Sequence, residues 1–155
     1  PGSGLRLPVS VSIDGQVTTR ETAYSYAPPM LQSIQPGRAA AAGGANITLL
    51  GSSFGVATDS QVIKFGGTAS SVTYWKSDSS LVVKAAPGVG DAHSIFFTTR
   101  SQRHSLEAAF SFTPPQLTAC AFPNIPARLA TFTLLGYSFG SSDYTPMKRI
   151  GFTSC

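Results

Sequence analysis

Acid–base or nucleophilic chemistry needs a histidine, a hydroxyl and a carboxylate brought together, and two stretches of this chain contain those residue types. Asp91 lies just ahead of His93 and Ser94, and His104 and Ser105 lie just ahead of Glu107. No Gly-x-Ser-x-Gly elbow exposes either serine as a nucleophile. His104-Ser105 reads as part of a hairpin-like segment between strands. Hydroxyls are also too common to single out a serine, since Ser and Thr together number 36. With no convergence of titratable groups on a reacting atom, the chain reads as a non-enzyme without a cofactor. Cys120 and Cys155 lack metal-ligand spacing, so no metal site is expected either.

Two modification sites remain. Asn46-Ile47-Thr48 is an N-glycosylation sequon at a loop–strand junction, whereas Asn124-Ile125-Pro126 lacks the hydroxyl residue. Occupancy of Asn46 requires a eukaryotic secretory source. The abundant hydroxyls and the pairs Pro28-Pro29 and Pro114-Pro115 would also permit O-linked sugars. Cys120 and Cys155 read as a disulfide, with two reduced core thiols as the alternative. Closing that loop is worth about 3–4 kcal/mol by chain entropy.

The chain has 155 residues, of which charged residues are 12% and hydrophobic ones 42%. Few charges and ordinary hydrophobicity exclude a charge-driven disordered tail. The net charge of +4 is scattered, with one cluster at Arg100, Arg103 and His104 and one pair at Lys148-Arg149. A nucleic-acid groove concentrates its cations and interleaves aromatics, so no nucleic-acid partner is expected. No apolar run approaches the roughly 18 residues that span a bilayer. Beginning at Pro1 without a methionine, the chain reads as a piece of something longer.

The elements that carry these residues repeat. Tyr24-Ser25-Tyr26-Ala27-Pro28-Pro29-Met30-Leu31 recurs as Phe110-Ser111-Phe112-Thr113-Pro114-Pro115-Gln116-Leu117, 86 positions later. Thr48-Leu49-Leu50-Gly51-Ser52-Ser53-Phe54-Gly55 recurs as Thr133-Leu134-Leu135-Gly136-Tyr137-Ser138-Phe139-Gly140, at an offset of 85. Ile63-Lys64-Phe65 reappears as Ile150-Gly151-Phe152, at an offset of 87, and Pro1-Gly2-Ser3-Gly4 lies 86 residues before Pro87-Gly88-Val89-Gly90. The chain is therefore divided into the closing strands of one unit (1–27), a complete unit (28–113) and the opening part of a third (114–155). Cys120 corresponds to Ile34 and Cys155 to about Thr68, so the third unit carries a cysteine pair that the second lacks.

Local patterns are β throughout. Val9, Val11 and Ile13 alternate with polar residues and predict a strand with one buried face, followed by an Asp14-Gly15 hairpin turn and Val17-Thr18-Thr19. Further short strands are predicted at 47–50, 62–65, 72–75, 81–83 and 95–97, bounded by turn residues. Ala39 to Ala42 could begin a helix, but Gly43-Gly44 stops it and a loop is expected. Gly51 and Gly55 bracket a tight turn that drops the Phe54 ring into the core. Gly136, Phe139 and Gly140 form the same turn in the third unit. Several short strands per unit imply an all-β chain of tandem β-sandwiches.

The residues Pro29, Ile34, Pro36, Gly43, Gly44, Ile47, Leu49, Gly51, Phe54, Gly55, Phe65, Gly66 and Gly67 together resemble the IPT/TIG family. These are immunoglobulin-like domains of the E-set type found in plexins, some transcription factors and many cell-surface proteins. Ser77 to Leu81, Pro87 and Phe110-Ser111-Phe112 continue the resemblance. The third unit departs from it, with Ala127-Arg128-Leu129 in place of Gly-Gly and Thr153-Ser154 in place of the later glycines. The resemblance implies fold-maintaining roles for these glycines and aromatics and an extracellular or cell-surface location.

Two functions are expected on this basis. The first is a structural protein, glycosylated, forming a filament, stalk or coat. Copies would stack head-to-tail, with 1–27 of one completing 114–155 of the next, or covalent neighbouring repeats would supply the missing strands. The second is an adhesion or receptor ectodomain segment that binds a protein or glycan through loops such as 55–61 and 86–93.

Overall fold

The computed structural model describes residues 2–57, 60–70, 72–121, 133–142, 149–150 and 153–154. All regular structure among them is β. Strands β1 (Leu7–Ile13) and β2 (Gln16–Tyr24) form an antiparallel hairpin. Its turn, Asp14-Gly15, has φ of 49° and 78°. Two left-handed residues give the primed turn whose twist matches the flanking strands, which is why Asp-Gly closes it.

The centre of the chain builds a sandwich from β3 (Met30–Gln35), β4 (Arg38–Ala39), β5 (Asn46–Ser52), β6 (Gln61–Phe65), β7 (Thr68–Ala69), β8 (Thr73–Ser77), β9 (Ser80–Lys84), β10 (His93–Thr99) and β11 (Gln102–Phe112). One sheet has the order β3-β5-β9-β8 and the other β4-β11-β10-β6-β7. The chain changes sheet between β3 and β4 through a cis Gln35–Pro36 bond, and β4 then runs parallel to β11. Ala39 thus lies in a short strand and not in the loop expected of it. The alternating residues of each sheet meet in one core. Leu31, Ile47, Leu49, Leu81 and Val83 face Ile63, Phe65, Ile95, Phe97, Phe110 and Phe112. Phe54 stacks on Phe97 at 5.0 Å, and Phe65 meets Phe110 edge-on at 4.8 Å, within the range of favourable aromatic pairs.

Beyond the sandwich, β12 (Gln116–Ala121) pairs antiparallel with β13 (Thr133–Tyr137), and β14 (Arg149–Ile150) with β15 (Thr153–Ser154). The β12–β13 register is that of β3–β5 moved along the chain. Leu31 faces Gly51 and Leu117 faces Gly136, with a bulge directly after Leu31 and after Leu117. The first hairpin matches β10–β11 in the same way. Leu7 faces Tyr24 and His93 faces Phe110, with the bulge immediately after each. Left-handed residues also coincide, at Arg6 and Ala92, Asp14 and Arg100, and Thr22 and Ala108.

A second expectation fails. Val9, Val11 and Ile13 alternate as predicted, but their face is exposed, because no second sheet among the described residues lies over β1. Leu117, Leu135, Tyr137 and Phe139 are exposed in the same way around β12–β13.

Candidate functional site

The histidines do not assemble a catalytic set. His93 Nε2 is bonded to the Val89 carbonyl at 2.9 Å, and its ring lies edge-on to Phe112. His104 is a residue of β11, not of a segment between strands, and its Nδ1 accepts the Leu31 N–H at 3.2 Å. Ser94 donates to Glu107 on the exposed side of β10–β11. Hydrogen bonds from Ser94 and then Ser105 hold the Glu107 carboxyl below its ordinary value. Both histidines, Ser94, Ser105 and Glu107 of the nominal acid–base sets are thus engaged in bonds to the backbone or to one another. Among the described residues no group of His, Cys, Asp and Glu could hold a metal ion, and no helix is long and apolar enough to cross a membrane.

The turn residues are structural. A β-carbon on Gly51 would collide with the Met30 carbonyl and the Phe54 ring, and one on Gly136 with the Gln116 carbonyl and the Phe139 ring. In both turns the phenylalanine folds back over the glycine. Ser53 and Ser138 are left-handed, as are Gly55 and Gly140. The first turn is tied to Asp78, whose carbonyl accepts Phe54 N–H at 2.9 Å and whose carboxylate accepts Gly55 N–H at 3.0 Å. Phe54 is fully buried, whereas Phe139 is exposed.

Asn46 is exposed at the first position of β5, paired with Lys84, so an attached sugar would meet no core residue. Cys120 is exposed on β12, as are Leu117 and Leu135 around it. Its expected partner Cys155 lies outside the described residues. The 86–93 loop, with Phe65, Gly67 and Phe112, surrounds a shallow concavity of about 160 Å³, well below the few hundred Å³ of a typical small-molecule pocket.

A residue that sequence reasoning missed lies at the junction of the first hairpin with the sandwich. Gln102 opens β11 and is almost wholly buried. Its Oε1 accepts the Gly4 N–H at 3.0 Å and its Nε2 donates to the Tyr26 carbonyl at 2.8 Å. Tyr26 N–H in turn donates to the Gly4 carbonyl at 3.0 Å. A carboxamide offers one donor and one acceptor side by side, as a peptide group does, so Gln102 completes this backbone pair as another strand would. Removing it would leave buried polar groups unsatisfied, at a cost of about 1–3 kcal/mol. A glutamine beside a hairpin turn looks like a solvated polar residue; the available signal was its recurrence, since Gln16 stands 86 positions earlier.

The IPT/TIG domain family model matches residues 29–114, more than half of the chain. The chain belongs to the IPT/TIG family. The match starts just before β3 and ends just after β11, so the IPT/TIG domain is the two-sheet sandwich. Among solved structures, the full extracellular region of plexin A4 is similar in fold, with a TM-score of 0.52 and 16% identity over 66% of this chain. The present chain spans only 9% of that plexin chain. A Bacteroides thetaiotaomicron protein described as a phosphatase aligns with a TM-score of 0.42 and 16% identity, over 59% of this chain and 19% of its own. No curated protein sequence matches the chain.

Proposed function

We propose that this chain is a segment of a receptor or adhesion ectodomain, non-enzymatic and exposed outside the cell or at its surface. The observation that carries this reading is the IPT/TIG sandwich at 29–114, a fold shared with a plexin extracellular region. Residues 1–27 and 114–155 are then the facing ends of adjoining units in series with the complete unit at 28–113, and covalent neighbouring repeats are the partners of both. The sandwich is a spacer that presents loops. The turn around Gly55 and the 86–93 loop are the proposed contact surfaces for a protein or glycan. Asn46 carries a sugar in this reading, and Cys120 pairs with Cys155 to brace the third unit.

Assembly of copies into a filament is the competing arrangement, and neither the fold nor the comparisons favour it. Analytical ultracentrifugation over a concentration series, with electron microscopy of the same samples, separates the two. The ectodomain reading expects a monomer at every concentration. Filaments with a regular axial repeat would overturn it and make self-assembly the function.

A further inference from the structure

The bonds that fix the first hairpin to the sandwich are present in this chain once as a completed joint and once more as its separate halves. In the completed joint, the glutamine is Gln102 and the socket is the Gly4–Tyr26 backbone pair. Gln16 occupies the same place in the β1–β2 hairpin: it pairs with Ile13 across the turn as Gln102 pairs with Thr99, but it is exposed. The socket recurs at the other end of the sandwich. Phe112 N–H donates to the Gly90 carbonyl at 2.8 Å, as Tyr26 does to Gly4. Gly4 and Gly90 both lie at strongly positive φ, 124° and 101°, which directs their N–H groups along a path side-chain-bearing residues rarely take. Gly2 and Gly88 both lie under an aromatic ring, where a β-carbon would stand 2.6 Å from Tyr26 or Phe112. The difference is at the third member: Gly4 N–H has Gln102, whereas Gly90 N–H has no partner among the described residues.

We propose that Gly90 and Phe112 form the docking socket for a following IPT/TIG-like unit, whose hairpin glutamine bonds the Gly90 N–H and the Phe112 carbonyl. Gln16 is the same glutamine presented to a preceding unit. The partner is defined by chemistry: a β-hairpin with a primary carboxamide beside its turn. A glutamate there would accept the N–H but set a negative charge against a carbonyl oxygen, and an asparagine is one methylene too short. Repeating the joint every 86 residues fixes both the spacing and the rotation of successive sandwiches, since two opposed bonds on one planar amide define an orientation. This inference rests on the reading of units in series, and a following unit docked at Gly90 would cover the 86–93 loop, which is then not free to bind a ligand.

The test uses the full chain and a version of it in which residues 28–113 are repeated once, directly after Thr113. The first socket is then followed by a second Gln102. Site-resolved amide exchange reads both sockets. In the native chain Gly4 N–H exchanges slowly and Gly90 N–H fast. In the extended chain the first Gly90 slows by about tenfold or more, the effect of one added buried hydrogen bond. Gln102→Ala in the second copy returns it to the fast rate. Gln102→Ala in the native chain speeds Gly4 exchange while β10 amides stay protected, which separates loss of the joint from unfolding of the sandwich. An unchanged Gly90 rate in the extended chain, or a fast Gly4 in the native one, would overturn the proposal. Filament formation would overturn the ectodomain reading but not the joint: Gln16 of the next copy would then fill the socket, and Gly90 N–H of the native chain would slow as concentration rises.

Discussion

The hairpins β1–β2 and β10–β11 have one backbone and two fates. Register, bulge and left-handed positions coincide at an offset of 86 residues. Yet Ile95 and Phe97 are fully buried, while Val9 and Val11, at the equivalent places, are 47% and 51% exposed. The backbone of a hairpin is set locally, by its turn residues and by the bulge that fixes its twist. Burial is not local. It comes from Leu49 and Leu81 on the opposing sheet and Phe54 in the turn after β5, which β10–β11 has against it and β1–β2 lacks among the described residues. An alternating strand therefore identifies the face that a core would take, without saying whether the chain in hand supplies that core.

The sharpest way to break this comparison is to truncate the same position in both hairpins. Phe97→Ala should cost about 3–5 kcal/mol, the loss of a fully buried aromatic and its stacking on Phe54. Val11→Ala should change stability by less than about 0.5 kcal/mol, as exposed substitutions do. Urea unfolding of the two variants checks both, and equal losses would show that β1 is covered.

A smaller effect is expected at the next pair. Thr99 is fully buried and its Oγ1 has no hydrogen-bond partner among the described residues. Thr99→Val keeps the shape and removes the unsatisfied hydroxyl, so the midpoint of thermal unfolding should rise, by about 1 kcal/mol in stability. Ile13, its counterpart, is 72% exposed, and Ile13→Val should leave the midpoint unchanged. A fall in stability for Thr99→Val would mean that its hydroxyl is bonded.

The smallest difference is electrostatic. In β10–β11, Ser94 and Ser105 donate to Glu107 and lower its carboxyl below the ordinary 4.5. The first hairpin has Pro8 at the position of Ser94, which supplies no hydroxyl. A carboxyl that is more acidic when folded contributes stability above its unfolded pKa, and this is lost as pH falls through the folded value. Glu107→Gln should therefore flatten the stability profile slightly below about pH 4.5 and be slightly less stable than the wild type at neutral pH, where the carboxylate makes its contribution. Because the group is exposed, the change is small. An equal slope for the wild type and the variant in acid would remove the hydrogen bonds from the account.

How much of this could be read in advance follows from the same local-versus-distant division. The Gly51-Phe54-Gly55 turn is legible because short-range sterics dictate it: a side chain at Gly51 has no room beside the Met30 carbonyl. The strands around Leu49, Leu81 and Phe97 are legible through their alternation and their turn residues. The sheet change at Ala39 is not, because two residues pairing with β11 carry no periodic signal. His104 reads as hairpin because its strand continues through polar residues right up to the turn. Gln102 is the clearest miss. Its burial depends on Gly4 and Tyr26, 98 and 76 residues away, and composition gives no sign of such a partner.

The most direct test of the account is amide hydrogen exchange along the full native chain. Its central claim is that the first hairpin belongs to an adjoining unit and is held to the IPT/TIG sandwich at one joint. The account predicts amides of β10 and β11 exchanging only at the rate of global unfolding and amides of β1 and β2 exchanging much faster. Within the first 27 residues, Gly4 and Tyr26, the two amides of the joint, should approach the protection of the sandwich. Equal protection of the two hairpins, or a Gly4 that exchanges as fast as β1, would contradict it.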